Sequence, residues 1–330
     1  MLAPFMEVFM KMFALFLLLL HGVYLFSWEV SVYPRSYVLK QFDQTATEFA
    51  WRFEKYGMVR PFSSYHRNKT EEELRAEFRR LKDDRFQIWY NATPGWYNFV
   101  EVNEDFLFAE TLFYEDCFRA GNCIAFDYNN THSSFNSSNI VIGPDRFLAM
   151  EGPRSTEEMA FFSLLTTYQV THLVRLTPEF DTRKKCHPYW KGRTEITDSG
   201  TFLQVSLRGG SPYSIRYYEI EDWVDHDGID PHRLIELIQT IRSTYDPEQG
   251  LIAVHCSAGV GRTGTFIAAF ILLSEIDRQL EAGEEIRLSI EELVFKLSLQ
   301  RKYMVTRLAQ YQTLHDVVAI YLEEHVQATP

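Results

Sequence analysis

Short apolar runs alternate with helical patterns over the second half of the chain. Five runs have the length and composition of buried strands: 147–150, 170–176, 202–207, 214–220 and 251–255. Apolar positions with a period near 3.6 residues predict four helices: 155–168, 231–245, 263–280 and 290–300. Strands interleaved with helices indicate an α/β domain. No low-complexity linker interrupts this stretch, so residues 100–326 are predicted to form one domain.

Residues 29–99 lack this alternation of strand and helix patterns, and they contain no repeat. One helix is predicted from Thr70 to Asp84, because Thr70 can cap it and Glu73 stands in the capping-box position. Its apolar positions share one face: Leu74, Phe78 and Leu81. We interpret 29–99 as an N-terminal extension of unknown role.

Residues 1–28 contain the most apolar run, Met12–Leu20, which is continued by a less apolar stretch to Phe26. The run suits the core of an export signal, and the extended stretch is short for a membrane span of about 20 residues. Three interpretations stay open: a cleaved signal peptide, an uncleaved membrane anchor, or a misassigned start or buried helix. The first two predict a secreted protein or one that associates with a membrane through residues 5–26.

The composition is that of a globular protein, with 46% hydrophobic and 24% charged residues. The formal net charge of −12 argues against a nucleic-acid partner. It does not exclude a phosphorylated substrate, because a local site can be positive on an acidic protein. The four cysteines fit no zinc-binding spacing, and no metal site is predicted: Cys117, Cys123, Cys186 and Cys256.

The segment 251–266 (LIAVHCSAGVGRTGTF) carries the chemistry. A buried strand runs into a short glycine-containing loop, and the loop runs into an apolar helix. Such a turn directs unpaired backbone N–H groups at one point, with the positive end of a helix dipole behind them. Gly259 and Gly261 let the backbone curl around an anion, so the loop residues are predicted to bind substrate phosphate through their amides: Ser257, Ala258, Gly259, Val260 and Gly261.

Cys256 stands where the strand ends, and a thiolate there would be stabilised by the same amides and dipole. It is the predicted nucleophile. Arg262 can offer a bidentate fork to two phosphate oxygens. Thr263 is placed to hydrogen-bond the sulfur and assist its departure from a phosphocysteine, and His255 is predicted to tune the loop from behind.

The string HCSAGVGRTGT resembles the signature of protein-tyrosine phosphatases. Segments 147–153 (FLAMEGP) and 185–190 (KCHPYW) also resemble that family, and they point to its tyrosine-specific, cysteine-based branch. The resemblance implies a central mixed, twisted sheet flanked by helices, a tyrosine-phosphorylated protein as substrate, and no cofactor.

A phosphate monoester needs an acid to protonate its leaving group. The segment Trp223-Val224-Asp225 resembles the mobile Trp-Pro-Asp loop of the family, which implies that Asp225 is the general acid and then the base, and that Trp223 is the packing hinge. Lys185 is implied as a partner of this loop. Val224 stands where the family has proline, which predicts altered loop closure.

Segment 301–311 resembles another family motif, in which Gln310 matches the second of two glutamines. Thr306 occupies the place of the first, which positions water, so Gln310 is a candidate for that role. The family's substrate-stacking tyrosine has no counterpart around residues 119–127.

These features predict hydrolysis of phosphotyrosine in proteins through a phosphocysteine. Two alternatives stay open: a pseudophosphatase that only binds phosphotyrosine, and a phosphatase acting on phosphoinositide or phosphoserine.

Overall fold

The computed structural model describes residues 34–55, 68–92, 135–178, 186–207 and 212–326. Its helices are α1 (Arg35–Lys55), α2 (Glu71–Ala92), α3 (Glu158–Thr167), α4 (Pro231–Arg242), α5 (Gly261–Glu281), α6 (Ile290–Gln300) and α7 (Leu308–Val326). Its strands are β1 (Ser137–Ile142), β2 (Asp145–Met150), β3 (Val170–Arg175), β4 (Thr194–Thr197), β5 (Gly200–Val205), β6 (Tyr213–Glu219) and β7 (Leu251–His255).

The strands form a mixed sheet with the order β1-β2-β7-β3-β6-β5-β4. The four central strands, β2, β7, β3 and β6, run parallel, and the outer pairings are antiparallel. Met150 on β2 and Arg175 on β3 both pair with His255 at the end of β7. The loops that leave the carboxyl ends of these strands therefore meet at one edge of the sheet, where ligands bind in open α/β sheets.

Helices cover both faces of the sheet, which confirms the predicted α/β class. On β7, Ile252 and Val254 join the cluster beneath α4 to α7, whereas Leu251 and Ala253 join the cluster beneath α1 and α3. This alternation follows from the two-residue period of a strand. β7 is buried on both faces, which explains its continuous apolar run.

Elements with a clear apolar or capping pattern match the sequence prediction, whereas strands rich in polar residues were not predicted. β7 and α6 have the predicted bounds, and α2 begins after the Thr70 cap, where Thr70 and Glu73 exchange the expected hydrogen bonds. Four elements, α1, β1, β4 and α7, were not predicted from the apolar pattern. β4 is exposed at every position, and β1 starts with three buried polar residues, so neither shows the alternation that reveals a half-buried strand.

Helices α1 and α2 pack against the rest of the described chain. Val38 and Phe42 of α1 belong to the core on one face of the sheet, and Phe78 and Leu81 of α2 belong to the core on the other. Two helices of the predicted N-terminal extension are thus integrated with the body that carries the sheet.

Residues 1–28 lie outside the described residues, so the signal-peptide and membrane-anchor interpretations stay predictions. None of the helices in the described stretches is long and apolar enough to cross a membrane.

Candidate active site

The loop between β7 and α5 forms a bowl whose floor is the sulfur of Cys256. Cys256 directly follows β7, and α5 begins at Gly261. The N–H of Gly259 donates a hydrogen bond to Cys256 Sγ at 3.2 Å. The first amides of α5 have no acceptor within the helix, so they add positive potential behind the sulfur. The sulfur therefore accepts a backbone N–H and lies at the positive end of a helix dipole.

Gly259 is required by the path of the loop. Its φ is +71°, and a Cβ there would overlap the carbonyl of Met150 and lie 2.7 Å from the nitrogen of Glu151. The loop therefore packs directly on the backbone that follows β2, which brings the segment 151–153 under the bowl.

We expect Gly259→Ala to destabilise the fold by more than about 3 kcal/mol, since a strained φ alone costs about 1–3 kcal/mol and steric overlap adds to it. Gly143→Ala is the matched control: its φ is +56°, yet nothing lies within 4 Å of the added Cβ. Chemical denaturation should show a loss of only about 1–2 kcal/mol for the control. Equal losses in the two variants would contradict the close packing at Gly259.

Arg262 joins the bowl to the loop after β6. Its side chain is 1% exposed, and Nη1 donates to the carbonyl oxygen of Trp223 at 3.0 Å. Nη2 donates to Ser257 Oγ at 2.9 Å and to Asp225 Oδ1 at 3.0 Å. One guanidinium therefore fixes the residue after the nucleophile, the backbone of the acid loop and the candidate acid itself.

The loop carrying Asp225 is anchored by Trp223. Trp223 is buried, and its Nε1 donates to the carbonyl oxygen of Asp227 at 2.9 Å, which closes a turn around Asp225. The Asp225 side chain keeps 38% of its surface exposed. Its second oxygen lies 3.7 Å from His226 Nε2. Val224 is 63% exposed, so the residue that replaces proline faces outward and is not needed for packing.

His255 is held in its neutral form beneath the bowl. Burial lowers the pKa of His255 to about 3, and burial also raises the pKa of Tyr189 well above its usual value. The carbonyl oxygen of Cys256 lies 3.3 Å from Nδ1 and can only accept, so the ring proton is on Nδ1. Nε2 therefore accepts from the protonated Tyr189 hydroxyl at 2.6 Å. His255 thus supplies orientation and no positive charge.

Arg301 supports the bowl from outside, and the sequence analysis assigned it no role. Its Nε donates to the carbonyl of Gly259 at 2.7 Å and its Nη2 to that of Ala258 at 3.2 Å. Nη1 donates to Asn136 Oδ1 at 3.0 Å. Because Arg301 holds the Ala258 carbonyl, the other end of that peptide, the Gly259 N–H, is free to meet the sulfur. The only sequence signal for Arg301 was its place at the start of the family-like segment.

A buried carboxyl lies beside this support. Asn136 Nδ2 donates to Glu151 Oε2 at 3.0 Å, and burial raises the pKa of Glu151 to about 7. Although burial lowers the pKa of Arg301 to about 10, the guanidinium stays protonated at neutral pH.

The other predicted residues have different positions. Thr263 is fully buried, and within the described residues its hydroxyl has no hydrogen-bond partner, so the expected bond to the sulfur is not made. The Gln310 amide oxygen accepts from the backbone of Thr306 at 3.0 Å and of Arg307 at 3.3 Å, and its Nε2 faces Gly261. Lys185 and the segment 119–127 lie outside the described residues.

In the part of the chain that the structure describes, no three His, Cys, Asp or Glu side chains are grouped so as to hold a metal ion. The Gly259 amide and the Arg262 guanidinium at the bowl suit an anion, and the Asp225 carboxylate pairs with that guanidinium.

Comparison with known proteins agrees with the geometry. A family model described as protein-tyrosine phosphatase matches residues 200–320, which include the bowl, Asp225 and Arg262. Over these residues the chain is similar to the protein-tyrosine phosphatase family. Tyrosine-protein phosphatase non-receptor type 7 of Rattus norvegicus is 30% identical over 224 residues, 60% of this chain and 59% of that protein.

Two receptor-type members of the phosphatase family also match. Receptor-type tyrosine-protein phosphatase C of Mus musculus is 30% identical over 202 residues, which cover 54% of this chain and 15% of that protein. Receptor-type tyrosine-protein phosphatase S of Gallus gallus is 28% identical over 233 residues, which cover 61% of this chain and 15% of that protein. The chain thus matches about three fifths of the non-receptor relative and a small part of each receptor-type relative.

Proposed function

We propose that this chain hydrolyses phosphotyrosine in proteins through a phosphocysteine intermediate. The observation that carries the proposal is the position of Arg262, which contacts Ser257 beside the nucleophile and the candidate acid Asp225 with the same nitrogen. A phosphate bound by that guanidinium lies between the sulfur and the carboxyl group. The relatives described above are all tyrosine-protein phosphatases, which supports phosphotyrosine as the substrate class.

In the first step, the phosphate group replaces Asp225 on Arg262. Once it has lost its ion pair and faces a dianion, the Asp225 carboxylate takes up a proton, since a neighbouring like charge disfavours ionisation. Cys256 Sγ then attacks phosphorus as the bond to the tyrosine oxygen breaks. Asp225 gives its proton to that oxygen, so tyrosine leaves as a neutral phenol and the phosphoryl group stays on sulfur.

In the second step, water attacks the phosphocysteine. The Asp225 carboxylate takes a proton from the water as the new P–O bond forms and the S–P bond breaks. The sulfur leaves as a thiolate that the Gly259 N–H stabilises. Inorganic phosphate then leaves Arg262, and Asp225 can return to its ion pair.

A substrate panel tests the proposal. We expect the wild-type protein to release phosphate from a phosphotyrosine peptide at least about tenfold faster than from the same peptide with phosphoserine. A phosphoinositide presented in mixed micelles should also react more slowly. Phosphate release is measured with a colorimetric assay, and peptide binding by fluorescence polarisation.

Each other outcome of the panel identifies a different function. Faster hydrolysis of the phosphoinositide or the phosphoserine peptide would reassign the substrate class. Binding of the phosphotyrosine peptide without phosphate release would identify a pseudophosphatase.

A further inference from the structure

We propose that Arg85, on α2, is a positioning residue that clamps the segment 303–306 behind the bowl and thereby supports breakdown of the phosphoenzyme. The catalytic part of this proposal rests on the proposed phosphatase function. Arg85 lies in the predicted N-terminal extension and outside the residues that the family model matches.

The clamp is a set of hydrogen bonds from one buried guanidinium to three carbonyl groups. Arg85 is 1% exposed. Its Nη1 donates to the carbonyl oxygens of Met304 at 2.8 Å and Val305 at 3.3 Å. Its Nη2 donates to that of Val294 on α6 at 2.7 Å. A planar fork is suited to holding several carbonyls in fixed directions, and a lysine ammonium cannot reproduce that geometry.

The clamped backbone is strained. Tyr303 has a φ of +69° and Val305 a φ of +58°, a region that side-chain-bearing residues avoid and β-branched ones most of all. Such a conformation persists only where the surroundings impose it. The carbonyls that Arg85 holds are those of Met304 and Val305, so the clamp acts on the strained turn itself.

The clamped segment lies against the first turn of α5. Val305 N–H donates to the carbonyl oxygen of Val260 at 3.3 Å, and a Cβ on Gly264 would lie 2.7 Å from the Val305 nitrogen. A Cβ on Gly261 would lie 2.8 Å from Thr306 Oγ1 and 2.9 Å from Gln310 Nε2. The clamped segment therefore holds Thr306 and Gln310 against Gly261, at the edge of the bowl.

Helix α2 is itself fixed to α7. Glu77 precedes Arg85 on α2. Its carboxylate accepts hydrogen bonds from Tyr311 and Lys69. Burial opposes ionisation of Glu77, but hydrogen bonds with His315, Lys69 and Tyr311 lower its pKa to about 2. Glu77 therefore stays charged and holds α2 in place beside Tyr311, the neighbour of Gln310.

The second chemical step depends on this clamp more than the first. The sulfur and Asp225 are positioned by hydrogen bonds of Gly259, Trp223 and Arg262, and Arg85 bonds instead to the carbonyls of Val294, Met304 and Val305. Thr306 is carried by the clamped segment, Gln310 is bonded to its backbone, and both side chains face Gly261. Loosening the segment leaves attack by sulfur intact and disorders the groups nearest the bowl that can orient water.

The test compares Arg85→Met with Arg75→Met, which removes a guanidinium from a partly exposed ion pair with Glu71 on the same helix. Rapid mixing with p-nitrophenyl phosphate separates the initial burst of nitrophenolate from steady-state turnover. We expect Arg85→Met to keep the burst rate and to lower kcat and KM together by roughly tenfold. Arg75→Met should behave like the wild type, and Arg85→Lys should recover only part of kcat.

Hydrogen–deuterium exchange of the folded proteins tests the clamp without using activity. We expect faster exchange in the peptide containing 303–306 for Arg85→Met and no change for Arg75→Met. Unchanged exchange would show that Arg85 does not clamp the segment. Equal loss of burst rate and kcat would show that Arg85 supports the whole bowl and not the second step.

The two proposals fail separately. A wild-type protein without hydrolysis would refute the proposed function, while the exchange difference would still decide whether Arg85 clamps 303–306. If Arg85→Met does not fold, Arg85→Lys decides the matter in both assays, and wild-type values in that variant would refute a geometric role for the guanidinium.

Discussion

Replacing Cys256 with serine is expected to lower phosphotyrosine hydrolysis by roughly 10⁴- to 10⁶-fold, the scale seen when a nucleophile is removed. A serine hydroxyl remains protonated at neutral pH, and neither the Gly259 amide nor the helix end can ionise it. The side chains are similar in size, so the bowl and Arg262 should keep binding the phosphate. The variant should therefore retain affinity for a phosphotyrosine peptide in fluorescence polarisation.

Cys186→Ser is the control for this experiment, because Cys186 is the other cysteine in the described part of the chain and it is also buried. Cys186→Ser should keep most of the wild-type kcat, and iodoacetate should still inactivate it by alkylation. Cys256→Ser should have neither the activity nor the site that iodoacetate alkylates. Substantial turnover by Cys256→Ser would refute the phosphocysteine mechanism outright.

Asp225→Ala is expected to lower kcat for a phosphotyrosine peptide by about 10²- to 10⁴-fold, the usual contribution of a general acid. KM should fall or stay constant, because the substitution removes the carboxylate that competes with phosphate for Arg262 at 3.0 Å. The loss should be smaller for p-nitrophenyl phosphate, whose more acidic leaving group needs less protonation. Stopped-flow and steady-state assays of both substrates measure the difference.

Asp227→Ala is the matched control, since Asp227 is exposed and its carboxylate accepts from the backbone of Gly228 at 2.8 Å. It should keep kcat within severalfold of the wild type. A larger loss for Asp227→Ala than for Asp225→Ala would identify Asp227 as the acid. An equal loss on both substrates would argue that Asp225 only stabilises the loop.

The sequence by itself determined the central part of the fold and the residues of the bowl. The strand at 251–255 is a continuous apolar run, and the loop and helix that follow it are contiguous in sequence, so local patterns specify all three. Asp225 was predicted as the acid from the resemblance of the short segment 223–225 to a family motif, and that role stays a prediction. Its contact with Arg262 joins residues 37 positions apart, and the structure was needed to show it.

Only the tertiary structure decided what holds the bowl in place. Arg301 lies 42 residues from the Gly259 carbonyl that it fixes, Tyr189 lies 66 residues from His255, and Arg85 lies 219 residues from Met304. Along the chain, Arg85 stands in a charged helix and resembles the solvated residues around it. Its role depends on burial and on carbonyls made available by a strained turn, and neither property leaves a periodic pattern in the sequence.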